Sequence, residues 1–185
     1  MSWSIKQTET NAEDIQRLED AIVVARRAQI ILFASLSDDR PHPDKSAYPA
    51  CMSSDVIRIG AATKEGDPFP GIRAKDADHL FPGVDIPYDF NDRHDLVTGS
   101  SVATALAAGL ASLLIYCVRA VGTTTRVTRQ DIQRMFEGLE KRDEARYPSV
   151  LSAFQDLEIE RKEGDGKVLE PRDQLQEIVQ RLYYY

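Results

Sequence analysis

The chain is predicted to fold as an α/β protein, on three observations. Two short, uninterrupted apolar runs read as buried strands. A helical pattern precedes the first run, and a long uncharged stretch rich in small residues follows the second. Taken in order, Asn11 can cap a helix whose apolar positions Ile15, Leu18, Ile22 and Ala25 recur at helical spacing, and Gln29 ends it. Ile30-Ile31-Leu32-Phe33-Ala34 is continuous in apolar residues, as expected of a strand covered on both faces and hence of a parallel sheet. Ser37-Asp38-Asp39-Arg40-Pro41 breaks the chain into a loop, and Val56 to Ala61 supplies a second strand. Pro68, Pro70, Pro82 and Pro87 punctuate what reads as an irregular stretch. Strand, helix and strand in succession imply right-handed crossovers.

No charged residue occurs from Leu96 to Val118, a length sufficient to cross a bilayer. The segment opens with Thr98, Gly99, Ser100 and Ser101 and continues through Ala103, Thr104, Ala105, Ala107, Ala108 and Gly109. Its large apolar residues fall mostly between Leu110 and Ile115. That composition suits a buried central helix of a layered α/β domain, and no membrane span is expected. Beyond it, Ile132, Met135, Phe136 and Leu139 form one helical stripe and Val150, Leu151, Phe154 and Leu157 another. Pro171 stands at a helix start ahead of Leu175, Ile178, Val179 and Leu182. Lys162 to Lys167 reads as a turn.

With 185 residues and 42% hydrophobic content, the chain can build a core. Charged residues make up 29 of residues 1–125 but 24 of residues 126–185. The shift places a boundary at the Thr123-Thr124-Thr125 run, giving a domain over 1–124 and a charged helical tail over 125–185. A net charge of −7 argues against nucleic acid as a partner. Cys51 and Cys117 form no disulfide framework and have no metal-ligand spacing, so they read as buried thiols and no metal is expected. No Gly-x-Gly-x-x-Gly or phosphate-loop motif follows a strand, so no nucleotide or other cofactor is expected either. The aspartates at 76, 78, 85, 89, 92 and 95 are scattered as on a solvated face, and Gly164-Asp165-Gly166 reads as a turn. Met1 to Gln7 lacks the basic-then-apolar order of a signal peptide, so the chain as written is expected in the cytoplasm.

The segment with most chemical content is Gly99-Ser100-Ser101 followed at once by an apolar helix. A hydroxyl there lies against unpaired backbone N–H groups and the positive end of the helix dipole, a setting that stabilises an oxyanion formed on nucleophilic attack. The same residues also fit a plain helix cap.

Gly99-Ser100-Ser101-Val102-Ala103 resembles the Gly-Thr-Ser-Met-Ala nucleophile motif of the subtilisin-like serine proteases. Met1-Ser2-Trp3 is similar to that family's substrate-binding strand, and Ile31 to Asp38 to the buried strand that enters its oxyanion hole. Tyr48-Pro49-Ala50 with Val56 to Ala61, and then Phe81-Pro82-Gly83, match further segments in the family's order. The resemblance covers about residues 1–121, and the tail is similar to that of intracellular fungal subtilases. It implies the C-terminal half of a three-layer subtilisin-like fold with a parallel sheet, followed by a helical tail. It further implies a serine endopeptidase domain with Ser101 as nucleophile, Asp38 at the oxyanion hole, and Ser2, Trp3, Ser4, Ser35, Leu36 and Ser37 along the substrate. The partner would be a peptide or protein.

Two departures qualify what the resemblance implies. Asp38 stands where most members carry an asparagine, and a carboxylate is a poorer partner for developing negative charge. The family's Asp and His motifs belong upstream of the segment that Met1 matches. Of the local histidines, His42 and His79 lack the motif's context, and His94 near Asp92 or Asp95 reads as a loop residue. The chain is therefore expected to be inactive alone, with a missing N-terminal half or another chain as a candidate partner. The alternative is an inactive protease relic that binds peptides or proteins.

Overall fold

The computed structural model describes residues 1, 4–38, 47–52, 54–90, 93–140, 147–148 and 171–183. The helical stripe at 150–157, the turn at 162–167, His42, Ser2 and Trp3 lie outside the described residues. Two compact units, Met1–Gly109 and Leu110–Tyr185, are distinguished.

The first unit is organised by a three-stranded parallel sheet. Strand β2 (Phe33–Ser35) pairs with β4 (Ile57–Ala62), and β4 pairs with β5 (His79–Pro82), in the order β2-β4-β5. The registers are Phe33 with Ile57 and Ile59 with His79. As the central strand, β4 is buried on both faces at Ile57, Ile59, Ala61 and Ala62, which is why its sequence reads as apolar rather than alternating. Gly60 is required there by packing, because a Cβ would lie 2.8 Å from Ile72 Cγ2. One polar residue on the strand, Arg58, is satisfied by Asp78, whose carboxylate accepts from the Arg58 amide at 2.8 Å and from its guanidinium at 2.6 Å.

Helix α1 (Ala12–Arg27) buries Ile15 and Ile22. Ile22 joins Ala34, Ala50 and Val56 in one apolar cluster, with Leu18 and Leu32 against it. The helix stops at Gln29, whose φ of 58° places it in the left-handed region typical of a residue just past a helix end. The apolar run after it is only partly strand. Ile30 is exposed, and the ladder begins at Phe33. Two short antiparallel pairs complete the unit: β1 (Ile5–Lys6) with β3 (Ala47–Tyr48), and a hairpin of β6 (Ile86–Phe90) with β7 (Arg93–Val97). The proline-punctuated stretch expected to be irregular thus contains a core strand and a hairpin. Pro82 ends β5 and Pro87 lies in the two-stranded hairpin, positions where a missing N–H is tolerated.

Helix α2 (Ser100–Ala120) begins in the first unit and ends in the second. It is the one described helix long and apolar enough to cross a membrane, and only 33% of its apolar window is buried. All-round burial, as the sequence suggested, is not found. Ala103, Ala107, Ala111, Leu114 and Val118 are buried along one stripe, while Leu106, Leu113 and Tyr116 are exposed.

In the second unit, α3 (Arg129–Leu139) starts with a reciprocal cap between Thr128 and Asp131, and it buries Ile132, Met135, Phe136 and Leu139 as the stripe predicts. Helix α4 (Pro171–Tyr183) begins with proline in its first turn and buries Val179 and Leu182. The C-terminal part of α2 meets α3 and α4 at an apolar cleft lined by residues including Leu114, Val118, Met135, Leu139, Val179 and Leu182.

A serine at the start of helix α2

The C-terminal ends of the parallel strands converge on the first turn of α2. Gly83, directly after β5, donates its N–H to Ala62 O at 3.0 Å, and its own carbonyl accepts from Gly99 N at 2.7 Å. A Cβ on Gly83 would lie 2.7 Å from Ala61 Cβ and 2.9 Å from Gly99 O, so only glycine lets the chain entering α2 approach the sheet this closely. Gly99 has φ +147°, a conformation that L residues rarely adopt, and it faces Asp38 Oδ2 and Ser101 Oγ.

Ser100 is the fully buried tie among three elements. Its Oγ accepts from Ala61 N on β4 at 3.0 Å and donates to Asp38 Oδ1 at 2.6 Å. Its N–H donates to Asp38 Oδ2 at 2.9 Å and Oδ1 at 3.2 Å. Asp38 thus places a carboxylate on the N-terminus of α2 from 62 residues away. One of the four amides that a helix leaves unpaired is satisfied, and the charge is favourable to the dipole. Thr104 Oγ1, also buried, donates back to Ser100 O at 2.7 Å.

Ser101, the neighbouring residue, is exposed. Its Oγ and its N–H have no hydrogen-bond partner among the described residues, whereas the N–H groups of Val102 and Ala103 both turn to Gly99 O. Among the described residues the turn therefore presents an unpaired hydroxyl beside an unpaired amide donor, the pairing that nucleophilic acyl transfer uses.

The remaining sequence-predicted residues are placed as follows. Ser35 is buried in β2, and its N–H is taken by Met1 O at 3.1 Å, while the Leu36 N–H extends the sheet to Ile59 O at 2.9 Å. Ser37 follows as a half-buried residue, and Ser4 is exposed ahead of β1. His79 is buried on β5 opposite Ile59, and the His94 backbone lies on β7 opposite Asp89. Among the described residues no cluster of three or more His, Cys, Asp or Glu could hold a metal ion. Burial pushes the Cys51 and Cys117 thiols up. The Tyr48 hydroxyl, bonded to Glu19, is pushed up to about 12. Sequence reasoning did not find the Ser100 bridge, because a Ser-Ser pair does not reveal which hydroxyl faces inward.

No protein-family model matches the sequence, and no curated protein matches it. Solved structures do. The prenylagaramide maturation protease PagA is similar over 75% of this chain and 54% of its own, at TM-score 0.57 and 22% identity. An S218A mutant of the PatA protease domain is similar over 75% of this chain and 52% of its own, at TM-score 0.56 and 21% identity. The PatG macrocyclase in complex with peptide is similar over 64% of this chain and 37% of its own, at TM-score 0.54 and 20% identity.

The fold is part of a subtilisin-like fold. The chain spans about half the length of the PagA and PatA structures it matches. At these identities the likeness establishes the fold alone.

Proposed function

We propose that this chain carries the nucleophile end of a subtilisin-like serine endopeptidase site, with Ser101 attacking the carbonyl of a peptide. The observation that supports it is the exposed Ser101 hydroxyl beside an unpaired amide at the start of α2, with Ser100 and Asp38 holding the turn. In this reading the Ser101 Oγ–H loses its proton to a base as the Oγ–C bond forms. The oxyanion lies against the Ser101 N–H, and collapse to the ester expels the amine, which takes up a proton. In this reading the general base is supplied from outside the described residues.

Chemical rescue tests this. A fluorophosphonate probe should label the chain at background level in buffer and at Ser101 when imidazole is added, with Ser101→Ala silent in both conditions. Absence of Ser101 labelling with imidazole refutes the nucleophile. Robust labelling without imidazole refutes the missing base.

A second reading, a relic that binds peptide without cleaving it, is favoured by one observation. Asp38 holds its carboxylate on the Ser100 N–H, one residue from Ser101, where negative charge would oppose an oxyanion. Peptide binding that persists in Ser101→Ala, with no imidazole-dependent labelling of the parent chain, would select it.

A further inference from the structure

The two arms of chain that meet at the Ser101 turn are joined by a feature that the proposed chemistry does not use. Where the turn begins, Gly83 O accepts from Gly99 N at 2.7 Å. The paired strands of the β6–β7 hairpin start at Ile86 opposite Val97. Between these two links one arm carries Val84 and Asp85, and the other carries Thr98 alone. Two residues opposite one make a β-bulge, a device that bends a strand pair and re-aims the side chains next to it. Asp85 takes a left-handed conformation there, at φ 53°, which aspartate tolerates better than most residues. The Thr98 side chain closes the bulge. Its Oγ1 accepts from Asp85 N at 2.9 Å and donates to Asp85 Oδ1 at 3.4 Å.

This clamp adjoins the residue on which the geometry of the turn depends. Gly99 has φ +147° and, as a glycine, a wide range of other conformations open to it. It also bounds the space between two groups of the site. A Cβ built on it would lie 3.1 Å from Asp38 Oδ2 and 3.4 Å from Ser101 Oγ, so a swing of Gly99 changes what the Ser101 hydroxyl faces. On the helix side Gly99 is fixed by Ser100, which Asp38 and Ala61 hold. On the other side it is fixed by Gly83 O and, one residue earlier, by the bond between Thr98 and Asp85. Thr98 and Asp85 are both exposed, so the pair directs the path of the chain and covers no core. We infer that Thr98 and Asp85 are a positioning pair: the bulge and its clamp fix Gly99, and through Gly99 the setting of the Ser101 hydroxyl. The chemical consequence rests on the role proposed for Ser101, whereas the clamp itself does not.

Two readouts on the full chain separate the clamp from that role. The first is hydrogen exchange. Thr98→Val keeps the side-chain shape and removes both hydrogen bonds, so the Gly99 amide should exchange faster by about tenfold or more. The Ala61 amide, held by Ser100 Oγ at 3.0 Å, should keep its protection. The second readout is the imidazole-rescued rate of fluorophosphonate labelling at Ser101. Thr98→Val should lower it by about tenfold or more, as expected of a misplaced reacting group, and Thr98→Ser, which restores the hydroxyl, should return it close to the parent rate. A Gly99 amide that is unchanged in Thr98→Val, or accelerated only in step with Ala61, overturns the inference. So does equal labelling of the parent and Thr98→Val, or a loss of labelling that Thr98→Ser shares. In each of these cases a labelled parent leaves the Ser101 reading standing. A parent that imidazole does not activate removes the Ser101 reading, and the Gly99 exchange then decides the clamp by itself.

Discussion

Replacing Ser100 by alanine should damage the fold far more than replacing Ser101, although the two serines are adjacent and chemically identical. The Ser100 Oγ is fully buried, accepts from Ala61 N at 3.0 Å and donates to the Asp38 carboxylate at 2.6 Å. Its removal leaves the Ala61 N–H buried and unpaired, at about 1–3 kcal/mol, and deletes a hydrogen bond to a charged group worth about 1.5–3 kcal/mol. Asp38 keeps the Ser100 N–H at 2.9 Å, which retains part of the second contribution. The expected loss is about 2–4 kcal/mol for Ser100→Ala, against less than about 0.5 kcal/mol for the exposed Ser101→Ala. With urea slopes of about 1–3 kcal/mol/M, the unfolding midpoint of the transition containing residues 1–109 should fall by about 1–2 M. Hydrogen exchange provides a local readout, since the Ala61 amide should exchange faster by about tenfold or more once its acceptor is gone. If Ser100→Ala and Ser101→Ala shift the midpoint equally, or if Ala61 exchange is unchanged, the bridging role is wrong.

Other consequences are open to measurement. Asp38→Asn supplies an amide donor beside Ser101 and removes the opposing charge. Imidazole-rescued fluorophosphonate labelling should rise by up to about a hundredfold, the scale of one oxyanion donor. A rate unchanged from the parent would show that Asp38 does not face the developing charge. The same variant should lower stability by about 1–3 kcal/mol, since one of the two oxygens that accept from Ser100 becomes a donor and the charge–dipole contact is lost, measured by urea unfolding. Gly83→Ala should cost more than Gly109→Ala, because the first Cβ collides with Ala61 and Gly99 while the second meets nothing. Thermal melts that rank them the other way would contradict this.

Tyr48 ionises near 12 in the fold, chiefly through its hydrogen bond to Glu19, against 10.0 when free. The native state therefore holds a proton that the unfolded state has released across this window. The Tyr48 contribution to stability is complete below pH 10 and is lost as pH rises toward 12. The ultraviolet difference titration between the parent chain and Tyr48→Phe should place this ionisation near 12, and Glu19→Gln should bring it down. Cys51 and Cys117, both raised by burial, should react with a disulfide reagent at neutral pH more slowly than a free thiol and accelerate on unfolding.

Much of the fold was legible because it rests on periodicity. The helix with Ile15 and Ile22, the strand from Ile57 to Ala61, the α3 stripe and the proline at the start of α4 are each dictated by which residues must face a core at 3.6- or 2-residue spacing. The prolines at 82 and 87 obscured β5 and the β6–β7 hairpin. A proline reads as a break, yet at a strand end or in a two-stranded ribbon its missing donor does no harm.

The amino-acid sequence by itself determined that a serine pair would open an apolar helix behind a glycine, and that the strands before it would be buried. Only the tertiary structure decided which serine faces inward, that Asp38 caps the helix from 62 residues away, and which stripe of α2 is buried. Local patterns encode spacing along one element, whereas these three outcomes depend on distances between elements remote in sequence. Those distances exist only once the sheet has brought Asp38, Ala61 and Gly83 to the same turn.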